Sequence, residues 1–313
     1  MLVVNLMGGI GNQLFICAFG YAQAKRYQQK LYYSVYVFSK VGYQGNYRMN
    51  QWDIGDELDF INKHPFKWIP FALKRLWFEF TLRTRHADRA DERVAVRYAR
   101  KGYFFSDTTK YKDPLFANKL VNYYNAYFQG EKYFEAAKDE IKEKFRVKEV
   151  SARCREMAEK LLNENSVCVH IRRGDYLEMP MYNVCGKQYY IDAIEKIKTM
   201  VNNPIFYFFS NDIDWVKNNF RGEDYRFVDI AENEVEDLYM MYHCAHYIIS
   251  NSSFSWWAQY LCLHEGKKEV IAPSYWLNLV LADGEVVPDT EGKAIYMDEW
   301  TLIEPTPWAA EDM

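Results

Sequence analysis

Short apolar runs alternate with longer amphipathic stretches along most of the chain. Residues 2–7 form a mostly apolar run that predicts a buried strand. The glycine-rich residues 8–11 interrupt this run, and Asn12 is expected to cap a helix that ends near Gln29. A second strand is predicted at residues 31–37. This order of strand, glycine turn, helix and strand is typical of the start of a parallel α/β unit.

The second half of the chain shows the same alternation. The pattern predicts strands at residues 167–171, 205–209, 247–250 and 269–272. It predicts helices at about residues 131–145, 151–162, 188–200, 236–245 and 255–263. Because strands and helices alternate, the sheet is expected to be parallel. With a joint at residues 147–151, the sequence predicts two α/β domains, residues 1–150 and 151–313, with a cleft between them.

Composition limits the classes of protein that fit this pattern. At 313 residues the chain exceeds the size at which one core usually stops growing, which agrees with two domains. A net charge of −4 argues against a general nucleic-acid binder, which needs a basic face. The first residues show no signal peptide, and no apolar run reaches transmembrane length. We therefore expect a cytoplasmic protein whose six scattered cysteines are reduced, buried thiols.

One stretch combines aromatic and basic residues. Residues 65–86 mix Trp and Phe with Lys and Arg, and Arg85, Arg89, Arg93 and Arg97 then recur every four residues. A helix face in water explains this pattern. So does a surface helix that contacts anionic lipid at the inner face of the membrane, or an anionic acceptor. The sequence leaves both interpretations open.

Residues 167–177 read VCVHIRRGDYL and carry the most informative chemistry. An apolar strand ends in His170, Arg172, Arg173, Gly174 and Asp175. In open α/β sheets, ligands bind just beyond the carboxyl ends of strands. A planar guanidinium suits a phosphate because its paired donors match two oxygens. The alternative is a structural salt bridge from one of the arginines to a nearby carboxylate.

Residues 248–257 read IISNSSFSWW, and here another strand runs into small hydroxyl residues and a helix. The backbone N–H groups of a helix start, together with the hydroxyls of Ser252, Ser253 and Ser255, can bind an anion. Capping of the helix by one serine is an equally good explanation of this segment.

Two weaker signals remain. The turn at residues 8–13, GGIGNQ, is not the dinucleotide fingerprint, because Leu14 stands where Gly or Ala is needed. It is either a tight structural turn or a ligand contact. Asp212 and Asp214 follow the strand at residues 205–209 in the D-x-D form that can hold a metal ion against a diphosphate. His243 and His246 lack the pattern of a zinc protease and are interpreted as structural.

At these residues the sequence resembles the bacterial alpha-1,2-fucosyltransferases of glycosyltransferase family 11. The resemblance covers nearly the whole chain. It is carried by GGIGNQLF at 8–15, AYFQGEKYF at 126–134, HIRRGDYL at 170–177, DLYMMYHCAHYIISNSSFSWW at 237–257 and EVIAPSYW at 269–276. It implies a GT-B-like fold of two Rossmann-like domains. It also implies transfer of L-fucose from GDP-β-L-fucose to O2 of a terminal galactose, with inversion, and with no cofactor or essential metal.

The resemblance also implies roles for particular residues. Arg172 corresponds to the arginine that binds the diphosphate. His170 and Asp237 correspond to residues near guanine, by analogy with the wider metal-independent fucosyltransferase superfamily. On the same analogy, Ser252 and Ser253 contact phosphate, and Asp212 lies near the ribose or base. The remaining predicted substrate-binding residues are Gly11, Asn12, Gln13, Arg173 and Phe254.

Direct displacement with inversion favours a general base for the acceptor hydroxyl. Asp175 is the candidate base, with Glu178 next, and Asp175 has the alternative role of orienting the arginines. We expect the acceptor, a galactose-ended glycan that is free or lipid-linked, to contact mainly the N-terminal domain. The competing functions are a metal-dependent transferase that uses another nucleotide sugar and Asp212 and Asp214, and a non-catalytic glycan-binding or GDP-sugar-binding protein.

Overall fold

A computed structural model of the chain describes residues 1–39, 46–84, 91–106 and 109–309. The chain divides into two compact units, Met1–Arg146 and Val147–Met313. Each unit contains a parallel sheet flanked by helices, which confirms the α/β fold class.

The first unit contains a four-stranded parallel sheet in its described residues. Its strands are β1 (Leu2–Asn5), β2 (Leu31–Ser34), β3 (Tyr103–Phe105) and β4 (Asn122–Asn125), in the order β2-β1-β4-β3. Its helices are α1 (Ile10–Tyr27), α2 (Pro65–Thr84), α3 (Glu92–Ala99) and α4 (Lys138–Lys144). Leu2 lies opposite both Leu31 and Asn122, so β1 is central and its side chains are buried.

Helix α1 begins earlier than the sequence predicts. Gly8 has a φ of 78°, which glycine adopts without strain, and Gly9 is the N-cap. Asn12 therefore lies inside the first turn, and the prediction that it caps the helix is wrong. Its side-chain oxygen instead accepts a hydrogen bond from Gln129 at 2.7 Å.

Two other predicted elements of the first unit differ from the structure. The second strand ends at Ser34 and is followed by a 3-10 turn, Tyr36–Ser39. The predicted helix at residues 131–145 is α only from Lys138, because two 3-10 turns precede it. The neighbouring side chains of Tyr133 and Phe134 are both buried there, and this packing overrides the helical pattern.

The second unit contains a six-stranded parallel sheet in its described residues. The six strands of this sheet are β5 (Ser166–Ile171), β6 (Ile205–Ser210), β7 (Tyr225–Phe227), β8 (His246–Ile248), β9 (Val270–Pro273) and β12 (Thr301–Ile303). Between β9 and β12 the chain forms a separate antiparallel pair, β10 (Asn278–Val280) and β11 (Val286–Pro288). Its helices are α5 (Ala152–Leu162), α6 (Asp175–Glu178), α7 (Lys187–Lys198), α8 (Ile213–Asn219), α9 (Glu234–Met241) and α10 (Ser253–Tyr260).

The order of strands in this sheet is β12-β9-β8-β5-β6-β7. From β5 the chain first builds outward through β6 and β7. It then returns to the other side of β5 to add β8, β9 and β12. The direction of winding therefore reverses between β5 and β8. In open parallel sheets the carboxyl edge at such a reversal is where ligands bind.

Candidate functional site

The two informative segments of the second unit follow neighbouring strands. Residues 170–175 leave β5, and residues 249–255 leave β8, at the carboxyl edge where the winding reverses. His170 joins the two, because its Nδ1 lies 3.0 Å from the Ser250 hydroxyl. The topology therefore brings together two motifs that the sequence could only suggest separately.

Arg172 is the accessible arginine of the β5 tip. Its side chain is about one-third exposed, and its Nη2 donates to the Asp175 carboxylate at 2.7 Å. The guanidinium carbon lies 5.3 Å from the centre of the Tyr176 ring. Contacts on two sides hold the group, and the remaining N–H donors are available to an anionic ligand.

Arg173 has a different environment. Its side chain is 2% exposed, and its Nε donates to Asp212 at 2.9 Å. The guanidinium lies between the rings of Trp215, at 3.8 Å, and Trp308, at 4.7 Å. The two indole rings and the carboxylate stabilise the cation, but its buried Nη1 has no hydrogen-bond partner among the described residues. The bond from Nε supports the structural salt bridge, while the unpartnered Nη1 leaves the ligand interpretation of Arg173 open.

The buried His170 is a neutral imidazole at physiological pH. Burial, reinforced by the positive charge of Arg172, lowers the pKa of His170 to about 3. Its ring lies 5.4 Å from the ring of Phe254. A neutral ring that bonds to Ser250 through one nitrogen can offer the other nitrogen to a ligand.

The segment after β8 leads into α10. Ser252 is the N-cap, and its hydroxyl accepts from the Phe254 backbone N–H at 3.3 Å. Ser253 is the first helical residue and is partly exposed. Ser255 is fully buried, and its hydroxyl bonds to the Ser250 and Ser252 carbonyls. The structure therefore shows capping of the helix by one serine, and anion binding at the helix start stays a prediction.

Asp237 lies in the first turn of α9. Partial burial, reinforced by Glu236 and other acidic neighbours, raises the pKa of Asp237 to about 7. The same negative charge acts on the buried thiol of Cys168 on β5. This carboxyl group is therefore close to half-protonated near neutral pH, and a hydrogen-bond donor or cation beside it will ionise it.

The D-x-D pair has partners within the protein. Asp212 binds Arg173 and also caps α8, where its Oδ1 accepts from the Trp215 backbone N–H. Asp214 is exposed and lies 3.5 Å from the ammonium of Lys217. Among the described residues, no group of three or more His, Cys, Asp or Glu side chains is placed to hold a metal ion.

The glycine turn of the first unit carries three predicted ligand contacts. Gln13 is fully buried, and its amide bonds to the carbonyls of Gly8 and Asn46 and to the backbone N–H of Arg48. These bonds tie the turn to the following loop, which favours the structural interpretation for Gln13. Gly11 is buried in the first turn of α1.

Both predicted base candidates lie on the short helix α6. Asp175 is half-exposed and paired with Arg172, while Glu178 is exposed at the end of the helix. Gly174, with a φ of 58°, allows the sharp turn from β5 into this helix.

Several residues of this region were not among the predicted site residues. Ser250 links the two strand tips, and Asn211 accepts a hydrogen bond from the Arg173 backbone N–H at 2.9 Å. Tyr176 packs on Arg172, and Trp215 and Trp308 enclose Arg173. Tyr176, Asn211 and Ser250 stand inside the motifs that the sequence singled out, whereas Trp308 is distant along the chain.

Other predictions concern the chemistry of the whole chain. The six cysteines are free thiols, and all but Cys262 are buried, as expected. His243 bonds to the Tyr239 carbonyl at 2.7 Å, and His246 accepts from the Glu269 backbone N–H at 3.1 Å, so both are structural. Among the described residues, the helices are all too short or too polar to cross a bilayer.

The chain is an α/β protein in which an accessible arginine and a helix start follow the two strands at the reversal point of a parallel sheet, a combination suited to an anionic ligand. The family model described as glycosyl transferase family 11 matches residues 1–304. The chain therefore belongs to this family of glycosyltransferases, which confirms the resemblance read from its motifs.

Three curated relatives illustrate the range of the family. An alpha-1,2-colitosyltransferase of Escherichia coli is 28% identical over 285 residues, which cover 88% of this chain and 92% of the relative. The O-antigen biosynthesis glycosyltransferase WbnK of Escherichia coli is 35% identical over 121 residues, or 36% and 40% of the two chains. The human galactoside alpha-(1,2)-fucosyltransferase 1 is 29% identical over 153 residues, which cover 44% of this chain and 38% of the relative.

Solved structures of fucosyltransferases are more distant. The fucosyltransferase NodZ from Bradyrhizobium aligns with 82% of this chain and 92% of its own, at 15% identity and a TM-score of 0.41. POFUT1 in complex with GDP-fucose aligns with 85% of this chain and 96% of its own, at 12% identity and a TM-score of 0.44. At such scores these likenesses carry no conclusion about this chain.

Proposed function

We propose that this protein transfers L-fucose from GDP-β-L-fucose to O2 of a terminal galactose, with inversion, and so forms an α-1,2 linkage. The observation that carries the proposal is the position of Arg172. Its guanidinium is accessible at the tip of β5, and β5 pairs with β8, the strand that leads into α10. Family membership and the names of the relatives support the reaction class.

The chemistry follows from the charge that develops on the leaving group. The acceptor oxygen attacks C1 of the donor sugar while the bond from C1 to the diphosphate oxygen breaks. Negative charge then grows on GDP, and Arg172 with the backbone N–H of Ser253 would stabilise it. We propose that these donors take the part that a metal ion has in other transferases.

The nucleoside end of the donor has its own candidate contacts. We propose that the second nitrogen of the neutral His170 and the carboxylate of Asp237 bind guanine. An ionised Asp237 can accept two hydrogen bonds from the guanine edge, and this contact would release its proton. Arg173 and Asp212 would support the site by holding the β5 tip in place.

A closely related donor is the second candidate. The relative that aligns over most of the chain is named a colitosyltransferase. Colitose lacks one hydroxyl group of fucose, so a site of this kind could accept either sugar. A site that binds the extra hydroxyl would discriminate strongly, because a buried polar group would otherwise lose its partner.

We propose a galactose-ended glycan, free or lipid-linked, as the acceptor, and a cytoplasmic location, where GDP-sugars are made. The decisive assay gives the purified protein GDP-fucose or GDP-colitose with a panel of galactosides and determines the product linkage by NMR. We expect an α-1,2-fucosyl product. A colitosyl product alone would select the second donor, and GDP-fucose binding without turnover on any galactoside would indicate a binding protein.

A further inference from the structure

Helix α2 has apolar side chains on two opposite faces. Phe71, Phe78 and Leu82 are buried and pack with Tyr103 and Tyr123 in the core of the first unit. At about 100° per residue these three side chains share one face of the helix. This buried face is sufficient to explain why α2 docks on the sheet.

The opposite face is apolar and exposed. Phe66 is 93% exposed, and Leu73 and Phe80 are each 65% exposed. The exposed large apolar residues of this face recur at intervals of three and four, namely Phe66, Ile69, Leu73, Leu76, Trp77 and Phe80. They fall within an arc of roughly 100°. A continuous exposed apolar stripe of this kind marks an interaction surface.

A basic cluster adjoins one edge of the stripe. Arg93, Arg97, Arg100 and Lys101 are exposed and line an open hollow of about 660 Å³ beside α3. The ammonium of Lys101 lies 5.1 Å from the centre of the Trp77 ring, which connects the cluster to the stripe.

Among the described residues around this surface, acidic groups are fewer than basic ones. Asp91 and Glu92 line the same hollow, and Asp91 caps α3 by accepting from the Arg93 backbone N–H. On α2, Glu79 lies 3.8 Å from Arg75. The hollow therefore has four basic side chains against two acidic ones.

We propose that this surface, formed by the exposed face of α2 and the basic cluster of α3, docks the protein on an anionic lipid bilayer. The apolar stripe would lie in the plane of the interface, with Phe66, Leu73 and Phe80 among the acyl chains. Arg97, Arg100 and their neighbours would meet the negative headgroups. Since the other face of α2 is packed on the sheet, the helix lies on the bilayer and does not cross it.

Charge complementarity favours a bilayer over a second copy of the chain. A symmetric dimer across α2 would bring two copies of the same basic cluster toward each other. An anionic bilayer supplies opposite charge to the whole cluster at once. Lys101 on Trp77 is also a pairing suited to the boundary between acyl chains and headgroups, where amphipathic rings and basic residues are favoured.

Flotation of the full-length protein with vesicles tests this proposal. We expect flotation with vesicles of equal parts phosphatidylcholine and phosphatidylglycerol, and much less with phosphatidylcholine alone. Leu73→Gln with Leu76→Gln should abolish flotation. Arg97→Glu with Arg100→Glu should lower the partition coefficient for anionic vesicles by at least about tenfold.

Matched variants elsewhere on the surface serve as controls. Leu279→Gln with Leu302→Gln changes two leucines of similar exposure in the second unit, and Lys196→Glu with Arg221→Glu reverses two exposed charges there. These proteins should float as the wild type does. Thermal unfolding identifies any variant that misfolds, and Leu73→Ser alone then replaces a misfolded double variant.

Two results would overturn the proposal. One is a folded wild-type protein that stays at the bottom of the gradient with anionic vesicles. The other is a dimer, measured by sedimentation velocity, that Leu73→Gln with Leu76→Gln dissociates, since α2 would then be a subunit interface. Transfer to a soluble galactoside should be unchanged in the same variants, so failure here is separate from failure of the proposed reaction.

Discussion

Neighbouring arginines at the tip of β5 have opposite environments. Arg172 is accessible and is held by Asp175 and Tyr176, whereas Arg173 is enclosed by two indole rings and Asp212. The first arrangement leaves accessible donors for a ligand, whereas the second buries the guanidinium and uses its Nε in an ion pair, with Nη1 left without a hydrogen-bond partner in the part of the chain that the structure describes. We therefore expect the two arginines to affect different measurements.

Arg172→Ala should reduce turnover with little effect on stability. Loss of the charge that neutralises the leaving diphosphate is expected to cost on the order of 3 kcal/mol or more in transition-state stabilisation, roughly a hundredfold in kcat/KM. Arg172→Lys should recover part of the loss, because it keeps the charge without the paired donors. Steady-state kinetics measure both, with Arg153→Ala, a change of an exposed arginine on α5, as the control. Near-normal turnover of Arg172→Ala would remove this residue from the mechanism.

Asp175 has two candidate roles that a pH profile separates. If it accepts the proton of the acceptor hydroxyl, Asp175→Asn should lose the acidic limb of the kcat/KM profile as well as most of the rate. If it only orients Arg172, the rate should fall while the limb stays. A full profile of the variant, with Glu178→Gln beside it, decides between the roles. An unchanged limb in both variants would place the base elsewhere.

Asp237 should make GDP binding depend on pH. Because its pKa is about 7 in the free protein, contact with guanine through the carboxylate must release a proton at lower pH. We expect protonation of Asp237 to make the affinity for GDP about tenfold weaker at pH 6 than at pH 8. Calorimetry in buffers of different ionisation enthalpy measures the proton released.

Asp237→Asn is the matched variant for this measurement. The phosphate of GDP also titrates near pH 6, and it affects the binding of GDP equally in the wild type and the variant. Any difference between the two proteins in the pH dependence of GDP affinity is therefore due to Asp237. The folding stability of the protein without GDP depends on pH in the opposite direction to the affinity for GDP. The raised pKa means that the folded state binds more protons than the unfolded state between about pH 4 and pH 7, so stability falls as the pH rises, and the variant should lose this slope. Equal pH dependence of GDP binding in both proteins would exclude the contact.

At the scale of elements, Arg173 connects several segments of the second unit. It leaves β5, pairs with Asp212 at the start of α8, and lies between Trp215 of α8 and Trp308 near the end of the described chain. Packing of this kind fixes the β5 tip, and with it the direction in which Arg172 points.

Arg173→Ala should therefore destabilise the fold. Removal of a buried, ion-paired guanidinium typically costs about 3 kcal/mol, which corresponds to a fall in Tm of roughly 6 °C or more for a unit of this size. Thermal unfolding measures the effect, and Arg153→Ala should change Tm little because its ion pair with Glu232 is exposed. A folded Arg173→Ala protein with wild-type Tm and lost GDP binding would make Arg173 a ligand contact instead.

At the scale of the whole molecule, positive charge is local. The net charge is −4, yet the described residues include two arginines at the β5 tip and a basic cluster at the α3 hollow. Neither position depends on the overall charge, because fields of exposed groups are screened within about 10 Å at ordinary salt. We therefore expect the proposed donor binding and the proposed bilayer docking to be independent of each other.

The proposed charge neutralisation predicts that the reaction needs no divalent cation. Transfer should keep its full rate in excess EDTA, because Arg172 and the α10 helix start would supply the positive charge. Asp212 and Asp214 already pair with Arg173 and Lys217, so binding a metal there would first require breaking these contacts. Loss of activity in EDTA, restored by Mg²⁺ or Mn²⁺, would favour the metal-dependent alternative.

Much of the second unit could be predicted from local pattern. Buried parallel strands are continuous apolar runs, so β5, β6, β8 and β9 were predicted to within a few residues. Strands β4 and β7 were missed because neither is a continuous apolar run: β4 begins and ends with Asn, and β7 contains Arg226 and is partly exposed. The three-residue strand β3 was also missed. The cap of α1 was assigned to Asn12 because side-chain preference favours it, whereas the backbone used Gly9.

The amino-acid sequence by itself determined the α/β class, because this class depends on local periodicity. It also contained HIRRGDYL and SNSSFSWW, two of the motifs whose resemblance to glycosyltransferase family 11 indicated the family. Only the tertiary structure decided that the winding reverses between β5 and β8, so that His170 meets Ser250. It also decided which arginine is enclosed, since Trp308 reaches Arg173 across a long stretch of chain. Strand order and such distant contacts arise from packing of the whole unit, which no local window of sequence contains.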